Sequence, residues 1–144
     1  MDDLKSLVPR WFEEVWNQGL EATIDELCAP DAAIHGLGEE GKVLVGPQHF
    51  RRFYNQFKRG LPDIRVTVDD VLAAGDQTAV RVTCRATHAG DGLGVPATGR
   101  RVECTGIVWI RWRDGRVAEA WNEFDAAGLM AQIAGPGPAT VKAR

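Results

Sequence analysis

The stretch EAWNEFD, residues 119–125, places Glu119, Asn122, Glu123 and Asp125 within seven residues. Carboxylates at a strand end can move protons, and an amide can donate to an enolate or carbonyl oxygen. The remaining polar candidates are His35, His88, His49 and the single tyrosine, Tyr54. A histidine can serve as base or acid near neutral pH. The histidines show no ligand spacing with one another or with cysteine, so no metal site is expected. Nothing matches a Ser-His-Asp arrangement or a GxGxxG fingerprint.

Strand alternation sorts these candidates. In residues 116–124, Ala118, Ala120, Asn122 and Phe124 share one face, and Val117, Glu119, Trp121 and Glu123 the other. The first list is expected to face inward. Asn122 then looks into the interior, and Glu119 and Glu123 belong to the outer face, either solvated or paired with Arg101 or Arg111. Asp125 is read as the N-cap of a helix from Ala126. Other inner lists are Val80, Val82, Cys84, Ala86, His88 and Val102, Cys104, Gly106, Val108, Ile110, Trp112. Small residues recur there, which leaves room for large side chains from helices or for a ligand.

The elements that position these residues follow from periodicity. Leu4, Leu7, Val8, Trp11, Phe12, Val15 and Trp16 form one apolar helical stripe, ended by Asn17-Gln18-Gly19. A short helix spans about 21–27, closed by Pro30. DAAIHG reads as an extended piece and 36–46 as a glycine-rich loop. Gly46-Pro47 opens a helix with Phe50, Phe53, Tyr54 and Phe57 on one face, stopped by Gly60 and Pro62. Strands follow at 63–74, 77–88, 100–113 and 116–124, with a hairpin at Asp114-Gly115. A last helix covers about 126–133. Helices first and an antiparallel meander afterwards give an α+β fold. A single domain is expected over 1–135, with a mobile tail at 136–144.

The chain has 144 residues, 44% hydrophobic and 26% charged, with a net charge of −3. The balance gives no reason to expect a nucleic-acid partner. No apolar run is long enough to cross a membrane, and the acidic start MDDLKSL lacks a signal-peptide layout. Cys28, Cys84 and Cys104 show no CxxC pair and are expected as buried thiols in a reducing cytoplasm. Ile107, Trp109 and Trp121 interrupt the outer face, which points to a homodimer through the sheet.

Taken in order, WFEEVWNQG, APDAAIHG, GPQHFRRFYNQFKRGLPDIRVTVDDVLAAGD, RATHAGDGLGVPATGRRVECTGI and DGRVAEAWNEFDAAGLMAQIAG resemble the SnoaL-like polyketide cyclases of the nuclear transport factor 2-like (NTF2-like) superfamily. The resemblance covers residues 4–135. It implies an NTF2-like cone, helices closing over a curved, mostly antiparallel sheet around an apolar pocket. It also implies chemistry on an apolar, carbonyl-containing small molecule without metal or organic cofactor, in secondary metabolism. The superfamily includes cyclases, isomerases, epoxide hydrolases and plain binding proteins, so function rests on the residues.

In the characterised cyclases an aspartate on the last strand is the general acid/base. Here that position falls on Asn122, and other polar cyclase positions fall on Gly106 and Val108. The Asp-Arg-Asp set of the family's epoxide hydrolases is missing for the same reason. The resemblance places a polar or pocket-lining residue near His35. His35 is thus the expected proton carrier and Asn122 the polarising donor. Phe12, Trp16, Tyr54, Phe57, His88, Val108 and Phe124 are the expected substrate-binding wall.

Overall fold

The computed structural model describes residues 3–135. The tail expected at 136–144 lies outside the described residues. α1 (Leu4–Trp11) begins at Asp3, whose side chain accepts a hydrogen bond from Lys5 N at 3.1 Å, satisfying a free helix-end donor. Pro9 lies inside this helix and removes one backbone donor. A π-helical turn, Phe12–Asn17, continues it where an ordinary helix end is expected from the sequence. The wide turn brings Phe12, Val15 and Trp16 to the buried side.

Asn17 anchors that turn. Its Nδ2 donates to Val66 O at 2.9 Å, and its Oδ1 accepts from Val66 N at 2.7 Å. The amide thus behaves as one more strand residue beside β3 (Arg65–Ala74). α2 (Ala22–Leu27) is tied back to α1 by a bidentate pair, Arg10 with Glu26, both contacts at 2.7 Å.

β1 (Cys28–His35) starts earlier than the expected extended piece. Pro30 lies inside it, at a register shift between Cys28 and Ala33, which is where a strand tolerates proline. The loop expected at 36–46 contains a two-residue strand, β2 (Leu44–Val45). α3 (Gly46–Gly60) buries Phe50, Tyr54 and Phe57, the positions of its apolar stripe. β4 (Gln77–Thr87), β5 (Arg101–Arg113) and β6 (Arg116–Phe124) complete the meander, and α4 (Ala126–Ala134) follows.

The sheet order is β2-β1-β6-β5-β4-β3. All pairings are antiparallel except β1 with β6. The fold is therefore α+β with a mixed six-stranded sheet. The core lies between the inner sheet face and the aromatic side of α1, the π turn and α3. No helix among the described residues is long and apolar enough to cross a membrane.

A bulge corrects one inner list. Trp112 pairs with Val117 and Arg111 with Glu119, so Ala118 is the extra residue. Val117 consequently joins Ala120, Asn122 and Phe124 at the interior cavity, and Ala118 does not.

Candidate functional site

Small residues at Cys84, Cys104, Gly106 and Ala120 leave a cavity of about 110 Å³ between the sheet and the helices. Its helical wall is aromatic: Trp11, Phe12, Trp16, Phe50, Phe53 and Phe57. Trp16 is the hub, with ring centroids 6.2 Å from Phe50 and 6.1 Å from Phe57, both edge-on. Such tilted contacts suit the ring quadrupoles and fix the wall's shape. Phe124 closes the far side against Phe57 at 5.9 Å. The aromatics thus fill part of the gap left by the small sheet residues and leave the rest open.

Of the expected wall, Phe12, Trp16, Phe57, Val108 and Phe124 line the cavity, as does Asn122. Tyr54 and His88 do not. Tyr54 is buried beneath Trp16, and its hydroxyl donates to Val15 O at 2.9 Å. The phenol is satisfied by the π turn and has no need of a ligand. His88 is wholly buried at the end of the inner row. Its Nδ1 accepts from Thr98 N at 3.3 Å and contacts Thr98 Oγ1 at 2.9 Å. The hydrogen therefore resides on Nε2, which has no partner among the described residues.

His35 and Asn122 do meet, but through the backbone. Asn122 Nδ2 donates to His35 O at 2.9 Å. The His35 ring is on the outer face, away from the cavity, because β1 pairs with β6 in a register that sets His35 beside Trp121. The two rings stack at 5.3 Å with only 7° between planes. His35 Nε2 lies 2.7 Å from Glu119 Oε2, and Arg111 on β5 pairs with the other oxygen. These two partners, His35 first, hold the Glu119 carboxyl below its ordinary value of 4.5. A Glu119–Arg111 pair was among the sequence expectations; the part of His35 in it was missed, because the direction of His35 depends on a parallel pairing that local pattern does not reveal.

Two residues of the outer lists, Ile107 and Glu123, also border the cavity. They adjoin Gly106, whose missing side chain leaves the backbone uncovered there; a Cβ on Gly106 would lie 3.2 Å from Glu123 O. Among the described residues, no aspartate or arginine lines the cavity, so an Asp-Arg-Asp water-activating set is not assembled in it. Asp125 caps α4, its Oδ1 accepting from Gly128 N at 2.9 Å. No group of three or more metal-ligating side chains is found among the described residues.

What this wall can do is limited and specific. It can bury an apolar molecule and offer it the carboxamide of Asn122, with Glu123 at the border. Asn122 Oδ1 and the second Nδ2 hydrogen have no partner among the described residues, so both remain for a bound group.

Comparison with solved structures places this geometry. IdmH, a candidate polyketide cyclase from Streptomyces antibioticus, is 32% identical with a TM-score of 0.80, covering 92% of this chain and 99% of that one. A SnoaL-like candidate cyclase from Jannaschia is 25% identical with a TM-score of 0.80, covering 92% of each chain. AclR, a candidate hydroxylase from Streptomyces galilaeus, is 25% identical with a TM-score of 0.79, covering 93% and 86%. No curated protein matches the sequence. The profile of the SnoaL-like polyketide cyclases matches residues 6–133, and with the shared fold and apolar cavity this chain belongs to that family.

Proposed function

We propose that this protein is a cofactor-independent, cyclase-like or isomerase-like enzyme that acts on an apolar, carbonyl-containing small molecule in secondary metabolism. The observation that carries this reading is the carboxamide of Asn122 on a wall that is apolar apart from it and from Glu123 at the border. An amide donor aimed at a carbonyl stabilises the negative oxygen that develops when the neighbouring carbon is deprotonated. The apolar wall folds the molecule so that the new carbanion centre lies near its acceptor, which is where most of the acceleration arises. The α-proton passes to water or to a second carbonyl of the substrate. His35 acts as a positioning residue through its carbonyl oxygen, and its ring takes no proton from substrate.

The cavity of about 110 Å³ has room for about one small ring, judged against an engineered cavity of about 150 Å³ that takes benzene. A larger substrate is expected to displace the aromatic wall at Trp16 and Phe57. The exposed Ile107, Trp109 and Trp121 support a two-fold homodimer through the outer sheet face.

A second reading is a binding protein without chemistry. It is favoured by one fact: an Asn122 amide hydrogen is already committed to His35 O. Incubation with synthetic β-keto thioesters, followed by mass spectrometry and chromatography, separates the two. The enzyme reading expects a new product that is an isomer of the substrate, or lacks one water. Tight binding with substrate recovered unchanged would establish the carrier instead.

A further inference from the structure

Cys84 on β4 and Cys104 on β5 face each other directly in the register, and both line the cavity. Two backbone bonds at the ends of this ladder fix the type of pair they form. His88 N donates to Arg100 O, and Trp112 N donates to Asp76 O. Stepping two residues at a time from either bond reaches Cys84 and Cys104, so they occupy a hydrogen-bonded position. Opposed Cα atoms at such positions lie about 5.5 Å apart. A disulfide spans about 4.4–6.8 Å between Cα atoms, which this spacing meets, and about 3.5–4.5 Å between Cβ atoms, so closure draws the two Cβ atoms inward from the roughly 5.5 Å usual at such a position. Both side chains point to the same inner face, as a bridge requires. Cys28 also borders the cavity, but from β1, where Val117 of β6 is its register partner.

We propose that Cys84 and Cys104 are a site of reversible oxidation, closing to a disulfide across the floor of the cavity. Hydrogen peroxide is an oxidant small enough to enter this space. The Cys104 thiolate attacks one peroxide oxygen and breaks the O–O bond, leaving a sulfenic acid and releasing hydroxide, which leaves as water. The Cys84 sulfur then attacks the Cys104 sulfur, the S–O bond breaks, and a second water leaves. Two thiols and one peroxide thus become one disulfide and two waters. The attacking role falls to Cys104, because the adjacent Cys84 thiol stabilises its thiolate and lowers it from the ordinary 9.0, although burial opposes this. The ambient reductant of a thiol pool reverses the reaction. Oxidation replaces two thiols on the cavity wall with an inert bridge and ties β4 to β5 beside Gly106.

Treatment of the full-length protein with limiting peroxide, then thiol titration and non-reducing peptide mapping, tests the proposal. The three free thiols are expected to fall to one, Cys28. The intact mass is expected to drop by about 2 Da, with peptides carrying Cys84 and Cys104 joined and separated again by dithiothreitol. C28S is expected to react like the parent, and C84S to stop at a sulfenic acid on Cys104. The wild-type peptide map decides the matter even where a variant folds poorly. Three thiols surviving, oxygen adducts without a bridge, or disulfides joining two chains would each overturn it.

Discussion

Asn122 is the residue on which the chemical reading depends, because it is the carboxamide at the cavity wall and is held by His35 O. Asn122→Ala is expected to lower turnover on the order of 10²-fold with the fold intact, the usual loss when one oxyanion donor is removed. Steady-state kinetics with circular dichroism checks this. His35→Ala leaves the backbone carbonyl in place and is expected to change turnover by less than about tenfold, below the usual range for loss of an acid/base group. A larger loss would return the ring to the mechanism. The inward phase of Asn122 was legible from simple alternation. The outward phase of His35 was not, because it is fixed by a parallel partner and by the irregularity around Pro30.

Glu119 carries a pH dependence at the same scale. Its folded-state value is depressed by His35 and then by Arg111, so it contributes stability above its ordinary value of 4.5. That contribution is lost as pH falls through the lower, folded value. Urea midpoints are expected to fall with acidification below about 4.5, and to fall less steeply in Glu119→Gln. An equal slope in both proteins would remove Glu119 from the acid response.

At the scale of elements, Gly36 and Asn17 fix what the cavity wall rests on. Gly36 follows β1 at φ +91°, and an added Cβ would sit 1.9 Å from Asn122 O. Gly36→Ala is therefore expected to destabilise by about 2–4 kcal/mol, combining backbone strain with displacement of β1 from β6. Asn17→Ala removes both contacts to Val66 and leaves a strand N–H and C=O without partners. A loss of about 1–3 kcal/mol is expected, read by chemical denaturation. The four long strands, α3 and the Asp125 cap were all readable from period and turn residues. The π turn was not, since the apolar stripe through Trp16 suits either helical form. The Val117–Ala118 bulge was equally hidden, because one inserted residue changes phase without changing composition.

For the whole molecule, the two sheet faces have different expected partners. The outer face exposes Ile107 at 51%, Trp109 at 48% and Trp121 at 37%, well above what an unpaired aromatic row favours. Sedimentation is expected to give a dimer for the wild type and a monomer for Trp109→Glu, with secondary structure retained. A monomeric wild type would discard the dimer. The α+β class was legible from the order of elements, and the cone-like arrangement was implied by the resemblance to the SnoaL-like cyclases. The small size of the cavity was not, because it depends on how far Trp16 and Phe57 reach across toward Phe124.

The most direct test of the central claim is a crystal structure of the protein soaked with a β-keto thioester. The account expects its carbonyl oxygen within hydrogen-bond distance of Asn122 Nδ2, with Trp16 and Phe57 displaced to admit the chain. Trp16 and Phe57 unmoved, with the ligand absent from the cavity or lodged against Trp109 and Trp121, would contradict it.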